Sequence, residues 1–325
     1  MPQKLDPAGS LAGKRRASIS VVVPCHNYAR FIEECLRSVF AQTHPPDRLL
    51  VLDDGSEDGS PEVIERVLQE CPFPAELIAR PWRGFTATLN EGLQKTDGEF
   101  FAYLNADDMW HPERLEVAVE SLQGNPDAVM SYGECLIVDG SGHVIADTRA
   151  RGYHSQNVSL HQLLQFRSIP LVATVTYRRS LLEQIGGWNE STFMEDYETY
   201  LILRSIGPFT YIPRALGFWR FHGSNMASNL PRNLREVQET QKRVAARLGI
   251  HEQQLARYQS SARFAYGEHF LRAGDWKKGV ALTFGNLRGV PSASVLPGRL
   301  ARVLVPPPIV RTRRALLHRR AKRLA

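Results

Sequence analysis

The chain has 325 residues, 43% hydrophobic and 23% charged, which is too long for one small domain and too apolar for a disordered polymer. No segment reaches the roughly 18–20 unbroken apolar residues of a membrane span, and the short run after Lys14, Arg15 and Arg16 stops at Pro24, so it reads as a strand and not as a signal peptide. The net charge of +6 is lopsided: nine Lys/Arg and no acid lie from Arg299 onward, and taking nine from +6 leaves −3 for the rest.

Residues 1–17 read as a loose leader. Ser18–Val23 is a β-branched run suited to a strand buried on both faces. Apolar residues at 31, 32, 35, 36, 39 and 40 predict a helix over Tyr28–Gln42. Arg48–Asp53 is the next strand, and Ser60-Pro61 opens a helix with a Ser cap and Pro in the first turn. Glu76–Ala79 is a third strand, Thr86–Gln94 a helix, and Glu99–Leu104 a fourth strand. Strands alternating with helices at this spacing predict a parallel, three-layer α/β sheet.

After Pro112 a helix runs to about Gln123. Ala128–Val138 and His143–Ala146 flank Asp139-Gly140-Ser141-Gly142, a hairpin turn. Val172–Tyr177 is expected as a strand and Glu195–Ile206 as an amphipathic helix with acids at its start. Residues 232–285 are helical in pattern, and Pro291, Pro297 and Pro306–Pro308 interrupt the chain beyond them. The expected organisation is a leader (1–17), an α/β domain (18–230), a helical extension (231–290) and a basic, Pro/Arg-rich amphipathic tail (291–325). Cys25, Cys35, Cys71 and Cys135 show no metal-ligand spacing, so they read as reduced structural thiols in a cytoplasmic compartment.

Ligands of parallel sheets bind beyond the carboxyl ends of the strands. Pro24-Cys25-His26-Asn27, Asp53-Asp54-Gly55 and Asn105-Ala106-Asp107-Asp108 all lie there. Carboxylates at the end of a buried strand are costly unless paired. A divalent cation and a phosphate would make sense of them, and hard oxygen ligands suit Mg²⁺ or Mn²⁺.

With these residues in view, the chain resembles the family 2 glycosyltransferases over roughly residues 18–228. The resemblance rests on Ile19-Ser-Val-Val-Val-Pro-Cys-His-Asn-Tyr, Ser38-Val-Phe-Ala-Gln-Thr, Leu52-Asp-Asp-Gly-Ser, Asn90-Glu-Gly, Leu104-Asn-Ala-Asp-Asp-Met-Trp-His-Pro, Gly186-Gly-Trp-Asn-Glu, Glu195-Asp-Tyr-Glu and Trp219-Arg-Phe-His. It implies the GT-A fold, a Rossmann-like α/β/α sandwich. It also implies an inverting transfer of a sugar from a nucleotide-diphosphate sugar to an acceptor hydroxyl, with Mn²⁺ or Mg²⁺ as cofactor. Carried over to this sequence, Pro24, His26, Asn27 and Asp54 hold the base, and Asn105 and Ala106 the ribose. Arg83 and Arg220 could pair with phosphate. Asp107 would hold the metal, with His222 beside it, and Asp196, seconded by Glu195, would be the general base. Gly186-Gly187-Trp188 would present an aromatic platform to the acceptor.

Two departures stand out. The first acid of the family's Asp-x-Asp is Asn105 here, which leaves ligation to Asp107. Trp82-Arg83-Gly84 stands where many relatives have Asn-x-Gly. Locally, the same acids could be plain turn and helix caps, and Asp108 reads as a cap ahead of Pro112. The implied acceptor is a surface glycan or a lipid-linked glycan. The basic tail could then lie on anionic membrane, at the inner face of the cytoplasmic membrane. A catalytically inactive GT-A scaffold is the first alternative. A nucleotidyltransferase is another, although Pro24-Cys-His-Asn-Tyr is neither Gly-rich nor basic. Nucleic acid is a poor partner for the tail, which lacks aromatic interleaving and a binding motif.

Overall fold

The computed structural model describes residues 16–149, 158–192, 194–222, 229–290 and 296–303. The leader up to residue 15 and most of the 291–325 tail therefore lie outside the described residues. The strands are β1 (Ile19–Cys25), β2 (Arg48–Asp54), β3 (Ala75–Arg80), β4 (Phe100–Tyr103), β5 (Met109–Trp110), β6 (Met130–Asp139), β7 (Val144–Asp147), β8 (Thr176–Arg178) and β9 (Phe209–Phe221). They form one sheet in the order β3-β2-β1-β4-β8-β6-β9-β5, with β7 added to β6 as a hairpin. The long ladders are parallel: β1 with β2 and β4, β2 with β3, and β6 with β9. The antiparallel pairings through β5, β7 and β8 are short.

The helices α1 (Ile32–Phe40), α2 (Ser60–Leu68) and α4 (Arg114–Gly124) bury Ile32, Leu36, Val39, Ile64, Val67, Leu115 and Val119 against one face of the sheet. The other face is covered by α3 (Phe85–Lys95) and α7 (Glu195–Ile206), through Leu89, Leu93, Tyr197, Tyr200 and Leu201. Between them in sequence lie the short α5 (Leu160–Leu164) and α6 (Arg179–Gln184). The extension is α8 (Leu230–Leu248), α9 (Glu252–Ala273), α10 (Trp276–Gly285) and α11 (Leu296–Val303). Its Val237, Val244, Tyr258 and Ala262 join the same core as α7.

Beyond the short β5, α5 and α6, which the sequence pattern did not predict, three further elements differ from the sequence-based expectation. The first helix starts only at Ile32, because Asn27 takes a positive φ of 62° and residues 28–31 form a turn, with the Phe31 N–H on the Tyr28 carbonyl. Residues 172–174 form a 3-10 turn, so β8 is limited to Thr176–Arg178. The 13-residue β9 was not expected from the sequence pattern. Pro213 sits inside it, and a proline argues against a central strand. The ladder solves this by jumping from Gly133↔Ile212 to Glu134↔Ala215, leaving Pro213 and Arg214 unpaired in a bulge.

Strand order reverses at β1, whose neighbours are β2 on one side and β4 on the other. Helices from the two sides diverge at such a point, which opens a crevice beyond the carboxyl ends of the strands.

Candidate active site

Two loops at that crevice are laced together. His26 Nδ1–H donates to the Asp54 carbonyl at 2.8 Å, and Asn27 Nδ2 donates to His26 Nε2 at 3.2 Å. The Asn27 N–H reaches Ser56 Oγ, and Asn27 Oδ1 accepts from the Glu57 N–H, both at 2.8 Å. Asp53 accepts from the Ser56 N–H and hydroxyl and so shapes the turn after β2. Asp54 is buried and reaches the other way. It accepts from the Arg83 N–H at 2.7 Å and the Gly84 N–H at 2.8 Å, and pairs with the Arg80 guanidinium. His26 and Asn27 are exposed at the rim, whereas Pro24 is buried within β1. The Arg83 side chain pairs with Glu91 at 3.2 Å, and its backbone N–H is what meets Asp54.

The loop after β4 carries Asn105, Ala106, Asp107 and Asp108. Ala106 is buried in the core with the apolar residues of α1 and offers no exposed surface to the crevice. Asn105 Oδ1 is a buried acceptor without a protein partner. Asp107 Oδ2 lies 2.9 Å from His222 Nε2, a bond made across 115 residues of sequence. Among the described residues no group of three or more His, Cys, Asp or Glu gathers to hold a metal. The pair offers one carboxylate oxygen and one imidazole nitrogen, and the carboxylate is the donor that suits Mn²⁺ or Mg²⁺.

Asp108 is not a helix cap. It is buried and accepts the Arg220 N–H at 2.8 Å, and burial together with the neighbouring Asp107 pushes its carboxyl well above the usual range. Arg220 is not available to a phosphate either. Its guanidinium is 1% exposed, donates from Nε to the Asp107 carbonyl at 2.9 Å, pairs with Glu34 of α1, and lies 4.9 Å over the Phe31 ring. Phe31 in turn stacks on His222 at 5.2 Å. One buried side chain thus ties α1, the β4 loop and the end of β9 together.

On the other side of the sheet, α7 brings its N-terminus to the end of β4. The Tyr103 hydroxyl donates to Glu195 Oε1 at 3.1 Å. Asp196, half-buried beside it, accepts its own helix's Tyr197 N–H at 2.7 Å. Burial, and then the Asp196 charge, raises the Glu195 carboxyl to about 8, whereas burial raises Asp196 only to about 6. The two acids titrate as a pair, and burial with mutual repulsion keeps their second proton on to higher pH than an ordinary carboxyl would. Behind them, Glu198 pairs with Arg243 of α8 at 2.7 Å, which fixes α7 to the extension.

The Gly186-Gly187-Trp188 turn has a different role from the one expected of it. Trp188 is 2% exposed and packs edge-on against Tyr103 and Tyr177 in the core, so it offers no platform to an acceptor. Asn90 of α3 clamps the turn, accepting from the Trp188 N–H at 2.9 Å and donating to its carbonyl at 2.8 Å. Gly187 has φ +72°, and a Cβ there would stand 2.5 Å from Asn90 Oδ1. Gly187→Ala should therefore destabilise the fold by about 1–3 kcal/mol, read as a lowered urea midpoint; an unchanged midpoint would mean that the clamp tolerates a side chain.

Sequence reasoning did not find Tyr103, Arg80, Glu34 or Asn90 in these roles. Asn90 stood inside a family motif, which was its only signal. Tyr103 is the last residue of a buried strand, where a hydroxyl needs a partner, and that requirement pointed at the site without naming Glu195.

Residues 20–185, just over half of the chain, match the profile described as Glycosyl transferase family 2. The chain belongs to this family. An uncharacterised glycosyltransferase of Nostoc sp. is 29% identical over 212 residues, covering 64% of this chain and 66% of that protein. The chain thus spans just under two thirds of that relative's length. Among solved structures, a mannosyltransferase from Pyrobaculum calidifontis in complex with GDP-Man and Mn²⁺ superposes with a TM-score of 0.61 at 20% identity, over 93% of this chain and 84% of that one. S. aureus TarS in complex with UDP-GlcNAc gives 0.59 at 16% identity, over 83% and 89%. At these identities the likeness is one of fold. The fold of this family 2 glycosyltransferase is the expected mixed, mostly parallel sheet with helices on both faces and a helical extension.

Asn105 tests the departure from the family's acidic pair. An amide is a weak ligand for a hard cation but suits a hydroxyl. Asn105→Asp should retain transfer and keep or raise Mn²⁺ affinity, measured by nucleotide binding with and without the metal. A folded but inactive variant would mean that the site is arranged differently.

Proposed function

We propose that this chain is an inverting glycosyltransferase that moves a sugar from a nucleotide-diphosphate donor to an acceptor hydroxyl of a surface glycan or glycolipid. The observation that carries the proposal is the Tyr103–Glu195 hydrogen bond. It brings a pair of raised-pKa carboxylates to the strand end from which Asn105 and Asp107 emerge. Buried acids with shifted pKa values facing a cleft are the usual mark of proton-transfer chemistry.

In this reading the β1 and β2 loops, through His26, Asn27 and Asp54, cradle the base. The unpartnered Asn105 Oδ1 accepts a ribose hydroxyl. Asp107 and His222 would hold Mn²⁺ or Mg²⁺, which supplies positive charge to the departing diphosphate. Asp196 takes the proton of the acceptor hydroxyl as its oxygen bonds to the anomeric carbon, and the bond from that carbon to the diphosphate oxygen breaks. Attack from the face opposite the leaving group inverts the anomeric centre. Glu195, held by the Tyr103 hydroxyl beside it, positions the start of the helix that carries Asp196.

A thermal-shift screen of nucleoside diphosphates and nucleotide sugars, each with and without Mn²⁺, tests the reading. A metal-dependent rise in melting temperature for one nucleotide class supports it, and slow donor hydrolysis in the same mixture excludes an inactive scaffold. No shift with any nucleotide would overturn it.

A further inference from the structure

We propose that the outer face of α10 docks on an anionic lipid bilayer. The helix packs on α9 through one side only, where backbone meets backbone. A Cβ on Gly279 would stand 2.9 Å from the Gly267 carbonyl, and a Cβ on Gly267 would stand 2.5 Å from Thr283 Oγ1. A strip of the helix beside this contact is left to solvent, and it is apolar. Trp276 is 41% exposed, Phe284 49% and Leu287 44%. With the half-buried Val280 they recur at 276, 280, 284 and 287, one stripe along the helix and the turn after it. Seven large hydrophobic residues are exposed among the described residues, and three of them fall within these twelve positions. Scattered exposed hydrophobics are ordinary, but a contiguous group needs an occupant.

Charge selects the occupant. Lys277 and Arg288 are exposed at the rim of the stripe, and Lys278, over the Phe270 ring of α9, adds a third cation on the helix. Asp275 is the last acidic residue of the sequence, and Trp276–Ala325 contains twelve Lys/Arg and no Asp or Glu. Trp276 Nε1 donates to the Val303 carbonyl at 2.9 Å, so the stripe is tied to α11 and runs into the chain that carries nine of those twelve cations. A second copy of this face would bring like charges together. A nucleic acid would meet the cations but has no use for exposed Leu287 and Val280. An anionic bilayer meets both needs, giving the rings and aliphatic groups an apolar boundary and the basic rim a negative surface potential. Docking of this kind stands independently of the sugar-transfer reading.

The test is sedimentation of the full-length protein with vesicles of phosphatidylglycerol and phosphatidylcholine, against vesicles of phosphatidylcholine alone. Wild type should sediment with the anionic vesicles and much less with the neutral ones, and raised salt should weaken its binding. The double variant Phe284→Ser/Leu287→Ser changes only exposed side chains and should melt like wild type. Its partition to anionic vesicles should fall by about tenfold or more, and Lys277→Glu/Arg288→Glu should fall by a similar amount. Equal binding by wild type and the Ser variant would overturn the proposal, leaving the basic tail as a nonspecific polycation. So would a wild-type dimer that the Ser variant abolishes without any vesicle binding, because the stripe would then belong to a second copy.

Discussion

Replacing Asp196 by Asn is expected to slow sugar transfer by about 10²–10⁴-fold while donor affinity stays near wild type. The substitution keeps the shape and the acceptor that caps the Tyr197 N–H, at 2.7 Å, and removes only the ability to take a proton. Asp196 rather than Glu195 is chosen because Glu195 is buried and already held by the Tyr103 hydroxyl, whereas Asp196 is half-exposed. Burial raises both carboxyls above the ordinary range. A base must be ionised to act, so the wild-type rate should fall as pH drops through about 6. An ordinary aspartate would hold its activity down to roughly pH 4. Glu195→Gln should cost less, since the amide can still accept from the Tyr103 hydroxyl. Steady-state transfer rates and donor binding, measured over pH for both variants, decide the matter. Near-wild-type transfer by Asp196→Asn, or complete loss in Glu195→Gln with donor binding intact, would reverse the assignment.

Asp107→Ala should abolish transfer and remove the part of nucleotide affinity that depends on Mn²⁺. His222 would lose its 2.9 Å partner, and the loop's other acid, Asp108, is buried and already committed to the Arg220 N–H. Calorimetric titration of nucleotide with and without Mn²⁺ separates this from general damage. The metal-free affinity should survive, as the base and ribose contacts come from other residues. A variant that still gains affinity on adding Mn²⁺ would place the metal elsewhere.

Much of this was written in local pattern. The apolar runs ending at Pro24, Asp54 and Leu104 are strands buried on both faces, and short-range pattern reports such strands well. The acids at their ends conflict with burial, and that conflict pointed to the crevice. What pattern could not report is any bond closed over a long stretch of chain. Arg220 looked like a free phosphate-binding arginine because nothing near it in sequence is acidic; its partner Glu34 lies 186 residues away. Trp188 looked exposed because it comes after two glycines, yet those glycines turn the ring inward, and Asn90 holds it there. Strand β9 was hidden by Pro213, whose cost the bulge against β6 absorbs locally.

The spacing of these contacts also sets an order of assembly. Everything that would cradle the base and ribose lies between Pro24 and Asn105, in contiguous βα units whose loops close cheaply. The partner of Asp107 arrives 115 residues later, on a strand that must find β6 with β7, α5, β8, α6 and α7 between them in sequence. Loop-closure entropy makes such pairings late. On a chain synthesised from its N-terminus, the residues proposed to cradle the base and ribose are all made before the residue that joins Asp107. The Asp107–His222 pair, proposed to meet the diphosphate, is thus the last part of the site that can form.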